Sequence, residues 1–113
     1  MRKTLLVVAA FLVLWGLGLS HRSITRPDEG RYAEISREMA ATHQWVSPRL
    51  NQILYFEKPP LQYWGGALAM KPLGPTPFAA RLWTALLGLL GCFALWRLGN
   101  SVFGAPVGTL AAL

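Results

Sequence analysis

With 113 residues, 53% of them hydrophobic and 14% charged, the chain is long enough for one small domain but too apolar for an ordinary water-soluble one. Eleven Lys and Arg against five Asp and Glu give a charge of +6. In a soluble protein that excess would suit nucleic acid; beside lipid-length apolar runs it suits phosphates and headgroups instead, and nucleic acid is set aside as a partner.

The first such run, Thr4 to Ser20 (TLLVVAAFLVLWGLGLS), has no charge, and its length approaches that of a bilayer's hydrocarbon core at a helical rise of about 1.5 Å per residue. It is predicted to be a transmembrane helix over residues 4–20. Arg2 and Lys3 ahead of it, and the small-x-small pattern Gly18-Leu19-Ser20, also fit a signal peptide. Either reading delivers the chain beyond Ser20 outside the cytoplasm. Lys and Arg near the span ends do not fix the orientation, because the long loop after the span carries more of them than the N-terminus and mixes both signs.

Residues 21–77 form a polar loop with helical patterning. Thr25-Arg26-Pro27-Asp28 has the form of a capping box, and Tyr32, Ile35 and Met39 come after it at helical spacing. This helix is predicted to lie on the membrane, with Arg31, Glu34, Arg37 and Glu38 on or near its wet side. Trp45 to Tyr55 is short and broken by Pro48, and the prolines of Glu57-Lys58-Pro59-Pro60 hold the backbone extended. Leu61 to Met70 is predicted as a short interfacial helix, with Pro60 in its first turn and Tyr63 and Trp64 at headgroup depth. Lys71, Pro72, Gly74, Pro75 and Pro77 are expected to end it.

A second span is predicted over 78–97, carrying one charge near its end, Arg81, whose stem is expected to snorkel toward the headgroups. Residues 105–113 read as the start of a third span that the sequence does not complete. The fold class expected is therefore all-α: the N-terminal part of a polytopic membrane protein with juxtamembrane helices. Cys92 falls inside an apolar segment and is expected to pack as a small hydrophobe.

Chemistry is concentrated in the loop. Asp28 and Glu29 are either the acids of a helix N-terminus or carboxylates placed to reach a headgroup substrate. Lys58 is either an ordinary exposed lysine or an ammonium held by stiff prolines to meet a phosphate. Glu57 faces water, pairs with Lys58 or ligates a divalent cation. Arg26, Arg31 and Arg37 either bind phosphate or are neutralised by Glu34 and Glu38. His21 and His43 lack metal-ligand spacing, and no phosphate loop, dinucleotide fingerprint, nucleophile elbow or CxxC occurs.

In order and spacing, RPDEGRYAEISREM (Arg26 to Met39), WVSPRLN (Trp45 to Asn51) and YFEKPPLQYW (Tyr55 to Trp64) resemble the first extracytoplasmic loop of bacterial aminoarabinose transferases and their relatives in the protein mannosyltransferase superfamily. The resemblance implies a multispan GT-C glycosyltransferase of the bacterial inner membrane, with this loop in the periplasm. The sugar donor it implies is a polyprenyl-phosphate carrier, and the acceptor lipid A, another glycan or protein. Asp28 matches the acid taken as catalytic in that family, and Arg31 lies in the same motif. Tyr55, Glu57 and Lys58 match a segment near the carrier's phosphate, with Lys58 as its contact. A divalent metal at Glu57 is the only cofactor considered. One departure stands out: Gln52 occupies a position where glycine is common, which bears on the local turn. Without the resemblance, the sequence reads as a small noncatalytic multispan membrane protein that binds a partner or anionic lipid.

Overall fold

The computed structural model describes residues 2–25 and 27–111, with side chains from residue 12 onward. Arg26 and the last two residues of the predicted third span lie outside the described residues. The chain runs α1 (Arg2–His21), α2 (Asp28–Thr42), β1 (Arg49–Leu50), β2 (Ile53–Leu54), α3 (Leu61–Leu73), α4 (Pro77–Phe103) and α5 (Ala105–Ala111). It divides into two compact units, residues 1–83 and 84–113.

Helix α1 covers the first predicted span, and side chains 4–11 of that span lie outside the described residues. Among the described residues, one helix, Pro77–Phe103, is long and apolar enough to cross a membrane, and Leu12–His21 is a shorter apolar helix. Helix α4 extends beyond the predicted 78–97 at its C-terminal end. It starts where Thr76 Oγ1 accepts the Ala79 N–H at 3.2 Å, with Pro77 as its first residue, where a missing N–H costs nothing.

The core of the first unit lies between α2 and α3. Ile35 and Met39 of α2 meet Tyr63 and Ala67 of α3, and Tyr32, Trp45, Leu50 and Tyr55 pack around them. Gly66 makes this close approach possible, and Gly65 makes room for Trp83 of α4. A Cβ on Gly66 would stand 2.5 Å from Ser36 Oγ of α2, and one on Gly65 would collide with the Trp83 indole. Helix α3 continues past the expected stop to Leu73, carrying Pro72 in its last turn, where proline removes only one ladder bond. Gly74, at φ 73°, closes the helix by donating its N–H to the Met70 carbonyl at 2.8 Å.

The predominantly helical architecture has one exception. Arg49–Leu50 and Ile53–Leu54 pair antiparallel, with Arg49 opposite Leu54 and Leu50 opposite Ile53. Asn51 and Gln52 turn the chain with φ of 52° and 68°, both left-handed, as a two-residue hairpin loop requires. Gln52 therefore occupies a conformation that glycine adopts without strain. The turn is held from α2: Glu38 is buried and its Oε2 accepts the Gln52 N–H at 3.1 Å. Glu38, expected on or near the wet side of its helix, is turned inward by a donor contributed by the hairpin. Replacing Gln52 with Gly should stabilise the fold by about 1 kcal/mol, read as a raised thermal midpoint in detergent, because the backbone and the Glu38 bond are retained.

In the second unit, α4 turns into α5 at Gly104, with φ 89°. Gly99 and Gly108 let these helices touch, since a Cβ on Gly99 would lie 2.6 Å from the Gly108 Cα.

Candidate functional site

Helix α2 begins at Asp28, and the acid that ties its first turn back to the preceding chain is Glu29. Glu29 Oε2 accepts both the backbone N–H and the hydroxyl of Thr25, each at 2.7 Å. The predicted capping box is not formed: the Thr25 hydroxyl donates and caps no N–H of the helix, and the acid that reaches back to Thr25 is Glu29, not Asp28. Pro27 occupies the cap position and makes no side-chain cap bond. Asp28 is left free of Thr25: its side chain is 67% exposed, and its charged contact is Arg31 Nη2, 3.6 Å from Oδ1.

Glu29 is anchored further by Arg81, whose Nε donates to Oε1 at 2.5 Å and whose Nη2 donates to Oε2 at 3.1 Å. The Arg81 hydrogen bond, helped by those from Thr25 and opposed by partial burial, draws the Glu29 carboxyl down to about 2. Arg81 also donates to the carbonyls of Leu19, Arg22 and Ser23 at 2.7, 2.6 and 3.0 Å. Its guanidinium is therefore occupied by protein groups, and the expected reach toward lipid headgroups gives way to this internal set.

One turn along α2, Arg31 reaches the segment after the hairpin. Its Nη1 donates to the Tyr55 hydroxyl at 3.2 Å, and that hydroxyl donates to Glu57 Oε2 at 2.7 Å. Glu57 Oε2 stands 3.8 Å from Arg31 Nη1, so Asp28, Arg31, Tyr55 and Glu57 form one connected cluster. Its geometry derives from the fold. Helix α2 supplies the first two residues, and the Tyr55 N–H donates to the Pro48 carbonyl at 2.9 Å, fixing the strand exit that supplies the other two. The Tyr55 hydroxyl, then Asp28 and Glu57, hold the Arg31 guanidinium above its ordinary range.

Beneath the cluster, Tyr63 is fully buried, with its ring 5.9 Å from Tyr32 and 6.4 Å from Tyr55. Its hydroxyl has no hydrogen-bond partner among the described residues, and burial pushes it up to about 12. Lys58 comes directly after Glu57 and is exposed; among the described residues it makes no hydrogen bond or ion pair. A cation aimed at solvent beside a cluster that carries its own arginine suits a phosphate arriving from outside.

The other charges separate from this cluster. Arg37 and Glu34 close a two-point pair at 2.9 and 2.6 Å, so Arg37 takes the neutralised alternative. Arg26 lies outside the described residues. His43 ends α2 in the left-handed region at φ 57°, a backbone role. No three of His, Cys, Asp and Glu lie together for a metal among the described residues. Glu57, the residue considered for one, bonds the Tyr55 hydroxyl and has Arg31 beside it.

Sequence reading missed the Glu29–Arg81 pair. The available signal was an arginine in the second turn of an apolar helix, a charge that needs a partner wherever it is not in water.

No family model matches the chain. Individual proteins do. The undecaprenyl phosphate-alpha-4-amino-4-deoxy-L-arabinose arabinosyl transferase of Aeromonas salmonicida is 42% identical over 87 residues, covering 76% of this chain and 16% of that protein. The protein of the same name from Pseudomonas savastanoi pv. phaseolicola is 35% identical over 105 residues, covering 93% of this chain and 20% of the other. Crystal structures of ArnT from Cupriavidus metallidurans, in the apo state and bound to undecaprenyl phosphate, match with a TM-score of 0.89 and 44% identity over 92% of this chain and 19% of theirs. Fold and sequence together place the chain in the GT-C class of membrane glycosyltransferase-like proteins. Within that class it is an aminoarabinose-transferase-like segment. It spans about a fifth of the length of the relatives it matches.

Proposed function

We propose that this chain is part of a membrane glycosyltransferase that moves a sugar, aminoarabinose by its likeness to the arabinosyl transferases, from a polyprenyl-phosphate carrier to an acceptor. The acceptor is lipid A or another glycan or protein, met on the periplasmic side of the bacterial inner membrane. The observation that carries this reading is the exposed Asp28 carboxylate, left free of Thr25 by Glu29 and joined through Arg31 to Tyr55 and Glu57, with the exposed Lys58 next in the chain.

In the proposed reaction the carrier's tail lies in the bilayer and its phosphate meets Lys58 and Arg31, with Tyr55 and Glu57 fixing the direction of the Arg31 fork. The acceptor oxygen attacks the anomeric carbon, the bond from that carbon to the phosphate oxygen breaks, and the electron pair leaves with the phosphate. Configuration at the anomeric carbon inverts. Lys58 and Arg31 stabilise the charge that grows on the departing phosphate. If the acceptor is a hydroxyl, Asp28 removes its proton; if it is a lipid phosphate, no base is needed and Asp28 orients the reactants.

Transfer of label tests the reading. Full-length protein in liposomes, given polyprenyl-phosphate aminoarabinose labelled in the sugar together with lipid A, is expected to move label to lipid A and release polyprenyl phosphate in equal amount. Label that remains on the carrier with lipid A, glycan and protein acceptors, while the protein is folded and inserted, would overturn it.

A further inference from the structure

Arg81 offers five N–H donors, and all five are used: two on Glu29, and one each on the carbonyls of Leu19, Arg22 and Ser23. Three of these acceptors belong to the end of α1 or the two residues beyond it. The last four carbonyls of any helix have no partner within it, and the Leu19 carbonyl is one of them for α1. The remaining two bonds go to the Glu29 carboxylate, which ties the first turn of α2 back to Thr25 and is adjacent to Asp28. One side chain in the second turn of α4 therefore joins the exit of α1 to the entry of α2.

We propose that Arg81 is a positioning residue: clamped on Glu29 and on the α1 terminus, it fixes where the first turn of α2 stands and so where Asp28 presents its carboxylate. The inference rests on the transferase reading for its catalytic consequence and on geometry alone for the clamp. A saturated guanidinium has no donor left for a phosphate, which separates Arg81 from Arg31 and Lys58. The five bonds also need the planar fork. Lysine offers three donors from a single point and cannot reach a carboxylate and three carbonyls at once, so Arg81→Lys is not conservative here.

The test uses full-length protein with spin labels on cysteines introduced at Ser20 and Ala41, its other cysteines replaced. The parent is expected to give one narrow distance distribution. Arg81→Ala and Arg81→Lys should broaden it. Glu29→Gln, which leaves the three carbonyl bonds in place, should broaden it less and serves as the readout if Arg81→Ala fails to fold. In transfer assays, Arg81→Ala is expected to lower kcat per folded molecule at least about tenfold, with a smaller rise in KM for the lipid-linked donor, because Asp28 and Arg31 move with the first turn of α2 while Lys58, outside that helix, stays. An unchanged narrow distribution in the folded Arg81 and Glu29 variants would overturn the clamp. A raised donor KM with normal kcat would overturn it too, by making Arg81 a donor ligand. Absence of transfer in the parent would remove the transferase reading, and the distance measurement would still decide the clamp.

Discussion

Replacing Asp28 with Asn in the full-length protein is expected to lower sugar transfer to a hydroxyl acceptor by about 10²–10⁴-fold, the usual worth of a general base, without lowering the amount of folded protein in the membrane. The second half of that expectation comes from the structure. Adjacent acids at a helix start leave open which one ties the helix back to the preceding chain. Here Glu29 takes both Thr25 donors and Arg81, whereas Asp28 is 67% exposed and has a 3.6 Å pair with Arg31. A surface pair of that kind contributes about 0–1 kcal/mol, so the amide should fold as the acid does. Abundance falling in step with transfer would instead give Asp28 a structural role. Glu29→Gln makes the contrasting case, since it removes charge from a carboxylate with four hydrogen bonds and should lower stability first.

The second large effect is expected at Lys58. Lys58→Ala should reduce kcat/KM for the lipid-linked donor by about 10²–10³-fold, the scale seen when one preorganised donor to a developing anion is removed. Stability should be unaffected, because no hydrogen bond or ion pair within the described residues is lost. The neighbouring prolines explain why one lysine can matter this much. Pro59 and Pro60 restrict the backbone after Lys58, and the Trp64 N–H donates to the Pro60 carbonyl at 2.9 Å, tying the segment to α3. Arg31→Ala is a different perturbation, since it also leaves the Tyr55–Glu57 bond without its cation. Normal donor kinetics in Lys58→Ala would remove Lys58 from the site.

These residues were unequally legible in the sequence. Helices α2, α3 and α4 can be read from local signals: apolar positions at helical spacing, Pro60 at a helix start, and an almost uncharged run in α4. The hairpin could not, because two-residue strands are too short to show alternation and its turn uses Gln52 where a glycine would have announced it. The departure at Gln52 was visible, and the strain it points to is where the structure places it. Glu38 was misplaced for the same reason: the group that draws it inward belongs to the hairpin, 14 positions away. Asp28, Arg31, Tyr55, Glu57 and Lys58 enter the proposed site through the resemblance, and the structure links the first four by contacts. The Arg81–Glu29 clamp joins residues 52 positions apart, and no periodicity carries that information.

The most direct measurement is cross-linking of the full-length protein to a polyprenyl phosphate that carries a photoactivatable group beside its phosphate, read by mass spectrometry of the labelled peptides. Adducts are expected in the Tyr55–Lys58 segment and in the first turns of α2 around Asp28 and Arg31, suppressed by excess unlabelled polyprenyl phosphate and weakened in Lys58→Ala. Saturable labelling confined to other parts of the protein, with these segments unmodified, would contradict a carrier-phosphate site built on Asp28, Arg31 and Lys58.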